Sequence, residues 1–327
     1  MNRFGENFRL SIFGESHGEF IGITIDGLNA GMALGVNDFE SDIQRRKAGG
    51  KGTTARIESD IPNIVSGVYR GFTTGAPLTI FFRNENVKSS DYRNFADIPR
   101  PGHADFTASA KYGGFNDARG GGHHSGRMTL ALVAAGVIAK KIISPILITT
   151  KIETVHGEND IESAVQKATD QGDSVGGIVS CSGVNIPIGL GEPFFNSVES
   201  VISQLIFSIP AIKGIEFGSG FSSAFKFGSE NNDVFINSQG KTTTNNSGGI
   251  LGGITNGNEL FFKVAVKPTS SISKPQSTHN FNTNLQEDFV VEGRHDACIA
   301  LRIPVVVEAV TAIALAELLL QKTTFIE

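Results

Sequence analysis

Apolar positions along the chain follow two rhythms. A period of two runs through residues 9–13 and 21–25. It predicts two short strands joined by the turn Gly14-Glu15-Ser16-His17-Gly18. The same rhythm at 64–68 and 78–82 predicts two more, linked through Gly71-Phe72-Thr73-Thr74-Gly75. Further on, the β-branched run 146–152 and the segments 175–184 and 260–266 read as strands. Alternating phenylalanines predict another over 217–227. Helices are predicted over 130–143, 161–168, 198–207 and 304–321. Pro210 closes the third, and Pro304 suits a first turn, where no backbone N–H is required. Asn37 with Glu40 predicts a capping box for a helix over 38–47. No fixed-period repeat interrupts these elements, and the stretch 157–173 is not linker-like. The expected fold is α/β (α+β), one domain over residues 1–327 with helices packed against sheets as a sandwich.

Composition narrows the function. The chain has 327 residues, 39% hydrophobic and 19% charged, with a formal net charge of -5. That balance argues against a nucleic-acid partner gripped by the whole surface, while leaving room for a local basic pocket. Two cysteines, Cys181 and Cys298, make neither a disulfide framework nor a metal motif and fit a reducing compartment. The apolar runs 130–143 and 303–320 are interrupted by Lys140 and Lys141 and by Glu308 and Glu317, so no membrane span is expected. The N-terminus lacks a signal pattern. A cytoplasmic protein is expected.

The chemistry concentrates in residues 100–129, RPGHADFTASAKYGGFNDARGGGHHSGRMT, directly before the apolar run 130–143. Glycines, guanidiniums and imidazoles ahead of a helix start favour an anionic ligand, because the first N–H groups of a helix lack partners. Arg119 and Arg127 can grip phosphate with a two-pronged fork. Lys267-Pro268-Thr269-Ser270-Ser271 offers a second ammonium-and-hydroxyl cradle or an ordinary polar turn. Arg45, Arg46, Lys47 and Lys51 either bind ligand or neutralise a helix C-terminus. Arg294-His295-Asp296 combines a cation, a titratable ring and a carboxylate.

Gly14 to Gly18 matches the G-x-S-x-G nucleophile elbow, but a strand rather than a helix is expected after it. His17 then serves as an acid or cation, or marks an ordinary turn. His103, His123 and His124 lack metal-ligand spacing. Neither a phosphate-binding Walker loop nor a dinucleotide fingerprint is present. The residues alone point to an enzyme acting on phosphorylated small molecules, with His and Asp available for proton transfer.

These motifs in series resemble the chorismate synthase family. The matches are GESHG at 14–18, Thr73-Thr74-Gly75, RPGHAD at 100–105 and KYGGFNDARGGG at 111–122. GGILGGITNG at 248–257, KPTSSI at 267–272 and GRHDAC at 293–298 complete them in family order. The resemblance implies a homotetrameric β-α-β sandwich that converts 5-enolpyruvylshikimate 3-phosphate to chorismate and phosphate by anti 1,4-elimination. It implies reduced FMN as a cofactor that undergoes no net oxidation, supplied by an external flavin reductase or other source, with NADP as the associated nucleotide. Carried over by position, His17 protonates the departing phosphate, His103 acts near flavin N1, and Asp296 works with flavin N5 at the substrate's C6 proton. Arg45, Arg46, Lys47, Lys51, Arg100, Arg127 and Arg294 are implied in substrate binding. Ser125, Lys267, Thr269, Ser271 and the glycines Gly249, Gly252 and Gly253 are implied at FMN. The chain departs from the common pattern at Lys47, Lys51 and His123, where arginine is usual, and at Met128, where glutamate is. Lysine keeps the charge but loses the planar fork. The polar segment 84–97 reads as a surface loop or lid.

Overall fold

Alternating burial organises the first half of the chain. β1 (Arg3–Phe4), β2 (Arg9–Gly14), β3 (Phe20–Asp26) and β4 (Asn63–Ser66) are followed by a small hairpin, β5 (Val68–Tyr69) and β6 (Phe72–Thr73), and then by β7 (Leu78–Arg83). Five of them form an antiparallel sheet of order β1-β2-β3-β7-β4. Ile21, Ile23 and Ile25 of β3 face Phe82, Ile80 and Leu78 of β7, and all six are fully buried. One face of this sheet is therefore core. The computed structural model describes residues 2–323 except 55, 57, 87–94, 96, 292 and 294. Most of the expected 84–97 lid lies outside the described residues.

Three helices accompany the first sheet: α1 (Glu40–Arg46), α2 (Asp105–Tyr112) and α3 (Thr129–Ile142). The entry to α1 differs from the expected capping box. A 3-10 turn over Val36–Phe39 precedes it, and the Gly35 N–H donates to Asp38 Oδ2 at 2.8 Å. Asn37 thus lies inside the turn, and Asp38 takes the capping work. The short helix α2 carries no strong apolar stripe, which is why periodicity did not reveal it.

The second half builds an antiparallel sheet from β8 (Leu147–Val155), β9 (Gly177–Val184), β10 (Ile212–Phe217) and, beyond the hairpin β11 (Ile250–Leu251) and β12 (Ile254–Thr255), β13 (Leu260–Val266). Its order is β10-β13-β9-β8. A hairpin of β14 (Gln276–Asn280) and β15 (Leu285–Phe289) follows. The helices of this half are α4 (Ile161–Asp170), α5 (Val198–Ile206), α6 (Gly228–Asn231) and α7 (Pro304–Thr323). The strand expected over 217–227 is not formed. β10 ends at Phe217, Gly218 and Gly220 adopt positive φ, and a 3-10 turn covers Gly220–Phe225. Phe221, Phe225 and Phe227 are strongly exposed, so their alternation has no buried face to serve.

Between the sheets lie α3 and α7. The first packs on β3, the second on β8 and β9, and each packs along the other. The result is a sheet–helix–sheet sandwich, as expected. Gly136 sets the helix crossing: a Cβ there would lie 2.3 Å from the Ala309 Cβ. Small side chains let the two backbones approach closely. α7 alone among the described helices is long and apolar enough to cross a membrane, yet 78% of that window is buried inside the fold. Its Glu317 carboxylate reaches back to the N-terminal turn, accepting from the N–H groups of Glu6, Asn7 and Phe8 at 3.0, 3.1 and 2.6 Å.

Candidate active site

The glycine-rich turn gathers the site. Gly120, Gly121 and Gly122 adopt φ of 60°, 82° and 51°. A Cβ on Gly120 would fall 2.2 Å from the His17 ring, and one on Gly122 would fall 2.0 Å from the Asp117 carbonyl oxygen. Only glycine fits such a backbone at such distances. The Ser16 N–H donates to the Gly122 oxygen at 3.1 Å, docking the 14–18 turn against this loop. A cavity of about 660 Å³ opens beside it. Its walls come from the end of α1, from Thr54, Arg56, Glu58 and Asp60, and from the loops flanking α2, the turn after β13 and the start of α7.

Five guanidiniums, those of Arg46, Arg100 and Arg127 buried and those of Arg56 and Arg302 partly so, line the cavity. Arg46 donates to Thr129 Oγ1 at 3.1 Å and to the Gly126 oxygen at 2.9 Å, with Asp60 at 3.8 Å. Arg127 pairs tightly with Asp60 and donates to Asn84 Oδ1 at 2.9 Å. Arg100 forks onto Asp105 at 2.7 and 2.8 Å, donates to Ser271 Oγ at 3.0 Å and lies 4.4 Å above the Phe95 ring. Arg302 reaches Asp296 at 3.3 Å. Arg56 donates to Ser16 Oγ at 3.1 Å and to Glu58 Oε1 at 2.8 Å. Lys47, Lys213 and Lys267 bring the described cations of the lining to eight, against three carboxylates, Glu58, Asp60 and Asp296. That excess leaves positive charge for an anionic ligand to neutralise.

Burial and neighbours tune these groups. Burial pushes the Arg46 guanidinium down to about 9, helped by Arg302 and Arg127 and only partly countered by Asp60. His17 is 6% exposed, and its imidazole is pushed down to about 4 by burial, then by Arg56 and Arg119. It is neutral at pH 7. Burial alone would raise the Asp105 carboxyl, but hydrogen bonds from Arg100 and His103 outweigh it and hold the group well below the carboxylate range. Burial, with Lys213 beside it, lowers Lys267. His123 hydrogen-bonds through Nδ1 to the Gly14 carbonyl oxygen at 2.8 Å, so that nitrogen carries the proton.

The structure brings together most of the expected residues. Arg46, Lys47, Arg100, His103, Ser125 and Arg127 line the cavity, as do Lys267, Thr269, Ser271 and Asp296. His17 sits directly behind Gly120. Others lie elsewhere. Arg45 points away, donating to Glu308 at 2.5 and 2.7 Å in a cluster with Asp42 and Lys140. Lys51 is exposed and outside the lining. Gly249, Gly252 and Gly253 shape the β11–β12 hairpin; a Cβ on Gly253 would press within 2.8 Å of Ser197. Arg294 lies outside the described residues.

The sequence reading did not single out Arg56, Glu58, Asp60, Asp105 or Arg302. The stretch 54–60 has no periodic signal in sequence, and only the tertiary fold turns Arg56, Glu58 and Asp60 inward. Asp105 stood inside the RPGHAD run, and its spacing of two from His103 was the available clue. No nucleophile elbow forms, because strand β3 follows the 14–18 turn and Ser16 is buried, its Oγ held by Arg56. Among the described residues no group of three His, Cys, Asp or Glu could hold a metal.

Comparison with known proteins gives the family. The family model described as chorismate synthase matches residues 8–320. A chorismate synthase of Chitinophaga pinensis is 58% identical over 321 residues, covering 98% of this chain and 97% of that protein. One from Dehalococcoides mccartyi is 45% identical with the same coverage, and one from Pyrococcus abyssi is 42% identical, covering 97% of each chain. A solved structure titled "Crystal Structure of Chorismate Synthase" superposes with a TM-score of 0.74 at 26% identity, covering 98% of this chain and 93% of that one.

Proposed function

This chain belongs to the chorismate synthase family, lyases of aromatic biosynthesis, and from that premise we propose that it eliminates phosphate from 5-enolpyruvylshikimate 3-phosphate to give chorismate, with reduced FMN as cofactor. The observation that carries this reading is the cavity lined by eight described cations and three carboxylates, with a buried neutral histidine behind its glycine turn. A substrate bearing one phosphate and two carboxylates neutralises that excess.

Arg46, Lys47, Arg100 and Arg127 hold the anionic groups, with Arg294 in the same role by position. Because Arg46 and Arg127 share Asp60, substrate oxygens compete with one carboxylate for two forks. His17 is neutral in its own surroundings; a phosphate dianion placed against it favours the imidazolium, which then hands its proton to the leaving oxygen. The net change breaks one C–O and one C–H bond and creates one C=C bond, and the chain supplies a place for each proton. Asp296, held at Oδ1 by the Thr54 N–H at 2.9 Å, is the carboxylate this chain would contribute, together with bound flavin, to removal of the C6 proton.

The residues fit a flavin mononucleotide. The cavity volume falls in the range of cofactor sites. Gly121 leaves the edge of His103 uncovered, since a Cβ there would stand 3.2 Å from it. Lys267, Thr269, Ser271 and Ser125 provide the ammonium and hydroxyls that a phosphate tail and ring edge require. Bound among these residues, reduced FMN would supply transient electron density for C–O cleavage with no net oxidation. The reduced flavin comes from an external source, with NADP as the associated nucleotide.

We read residues 1–327 as one domain, which the reach from Glu317 to the N-terminal turn supports. We propose a homotetramer by family resemblance; the exposed rings of Phe194, Phe195, Phe221, Phe225 and Phe227, 78–93% accessible, are apolar surface that self-association would cover. Light scattering on the purified chain tests the assembly. Buried thiols at Cys181 and Cys298 favour the cytoplasm.

The decisive experiment is anaerobic. Protein, reduced FMN and the enolpyruvyl phosphate are mixed, and chorismate and phosphate are followed together. Equal release of both is expected; flavin bound with neither product formed overturns the proposal.

A further inference from the structure

His103 has two competing neighbours on one ring nitrogen. Its Nδ1 lies 2.6 Å from Asp105 Oδ1 and 3.0 Å from Arg100 Nη2. Both contacts cannot be hydrogen bonds to a neutral ring. If Nδ1 carries hydrogen, it donates to Asp105 and merely abuts the guanidinium. If Nδ1 carries the lone pair, Arg100 donates to it and the carboxylate faces that lone pair at 2.6 Å with nothing between them. The second arrangement sets acceptor against acceptor at the shorter distance. Asp105 also has no spare proton to bridge the gap. It is 8% exposed, and its two oxygens already accept from Arg100 Nε at 2.7 Å, Arg100 Nη2 at 2.8 Å and the Arg100 N–H at 3.1 Å, which keeps it a carboxylate.

We propose that Asp105 is a positioning residue for His103, fixing its neutral ring as the Nδ1–H tautomer and turning Nε2 toward the cavity. Two features of the fold support this division of labour. Asp105 opens α2, so its carboxylate is anchored by a helix rather than a loose loop, and Arg100 clamps it from the other side. On the far edge of the ring, Gly121 carries no side chain where a Cβ would stand 3.3 Å from Nε2. One face of the imidazole is thus fastened and the other kept accessible. A ring held in this way accepts a proton at Nε2 and returns it there, without rotating and without exchanging roles between its nitrogens. The inference rests on the reading of His103 as a proton-handling group, and it adds the residue that decides which nitrogen does the handling.

The test is nitrogen NMR on histidine-labelled full-length protein without flavin, with His103 assigned from the spectrum of His103→Gln. In the wild type above pH 8 the Nδ1 signal is expected to be of the protonated kind and Nε2 of the unprotonated kind. In Asp105→Asn the tautomer should shift toward Nε2–H, because an amide can donate as well as accept. A wild-type His103 found in the Nε2–H form, or an Asp105→Asn spectrum unchanged from wild type, overturns the proposal. The wild-type spectrum decides the tautomer even if the variant fails to fold. With flavin and substrate, Asp105→Asn is expected to lower kcat by about 10²-fold with KM within about threefold, and Asp105→Glu to recover part of the loss. A merely structural role would move KM and stability and leave the tautomer as it was. Should the tautomer shift while kcat stays normal, the positioning by Asp105 stands and it is the catalytic reading of His103 that falls.

Discussion

The α3–α7 layer and the cavity wall both bury charge, but they balance it differently. In the helix layer each buried carboxylate is answered by the chain itself. Glu317 is met by three backbone N–H groups, and Glu308 by Arg45, Lys140 and Thr150. Burial alone would raise the Glu308 carboxyl, yet Arg45 and Thr150 hold it below its ordinary value. Folding completes these groups. In the cavity wall the described cations outnumber the carboxylates eight to three, and Asp60 is shared between Arg46 and Arg127. Charge that a fold leaves unbalanced is charge reserved for a ligand.

That contrast breaks if changes in the wall act like changes in the core. The largest expected effect is on rate. His103→Ala should slow turnover by about 10²–10⁴-fold while still binding substrate and FMN, with little loss of stability. Stopped-flow measurement of chorismate formation beside a denaturant melt checks both halves; a near-normal rate removes His103 from the chemistry. In the helix layer the reverse holds. Glu317→Ala should cost on the order of 3 kcal/mol in stability by stranding three N–H groups, with kcat in the surviving folded fraction unchanged. Gly136→Ala should cost about 1–3 kcal/mol by driving a methyl into Ala309.

A pH experiment sharpens the comparison further. The folded His17 imidazole titrates near 4, below its ordinary 6.5, so between those values the unfolded chain binds more protons. Stability from this group is therefore complete above about pH 6.5 and is lost as pH falls through 4, by up to about 3 kcal/mol. His17→Gln should flatten that part of the stability curve, measured by urea melts from pH 7 to 4; an unchanged slope would mean that His17 is not held neutral. The smallest effect is expected at Lys51, which lies outside the cavity lining. Lys51→Ala should change KM for the phosphorylated substrate by less than about twofold. A larger rise would extend the wall beyond its present limits.

Much of the frame was legible from pattern. The strands around 21–25, 78–82 and 260–266 and the helices around 130–143 and 304–321 appear where periodicity placed them, because each has a buried face to fill. Pattern failed where apolar residues have no such face, as with the exposed phenylalanines at 221, 225 and 227, and where a cap could be satisfied in more than one way, as at Asn37 and Asp38. The motif stretches named most of the cavity residues, but they could not rank the cations. Arg45 and Arg46 are neighbours in sequence, yet successive residues on a helix point about 100° apart. One therefore joins Glu308 and the other lines the cavity.

By itself the sequence determined the alternation and helical periods that sort residues into sheets and buried helices, the glycines that permit left-handed turns, and the kinds of side chain available for anion binding and proton transfer. Tertiary structure alone decided which of those side chains share a space. It turned Arg56, Glu58 and Asp60 inward, set His17 from one end of the chain behind Gly120, and brought Asp296 from near the other end into the same wall. The reason is physical: local pattern reports the solvent exposure of each residue, whereas charge pairing and proton placement depend on distances between residues far apart in the chain.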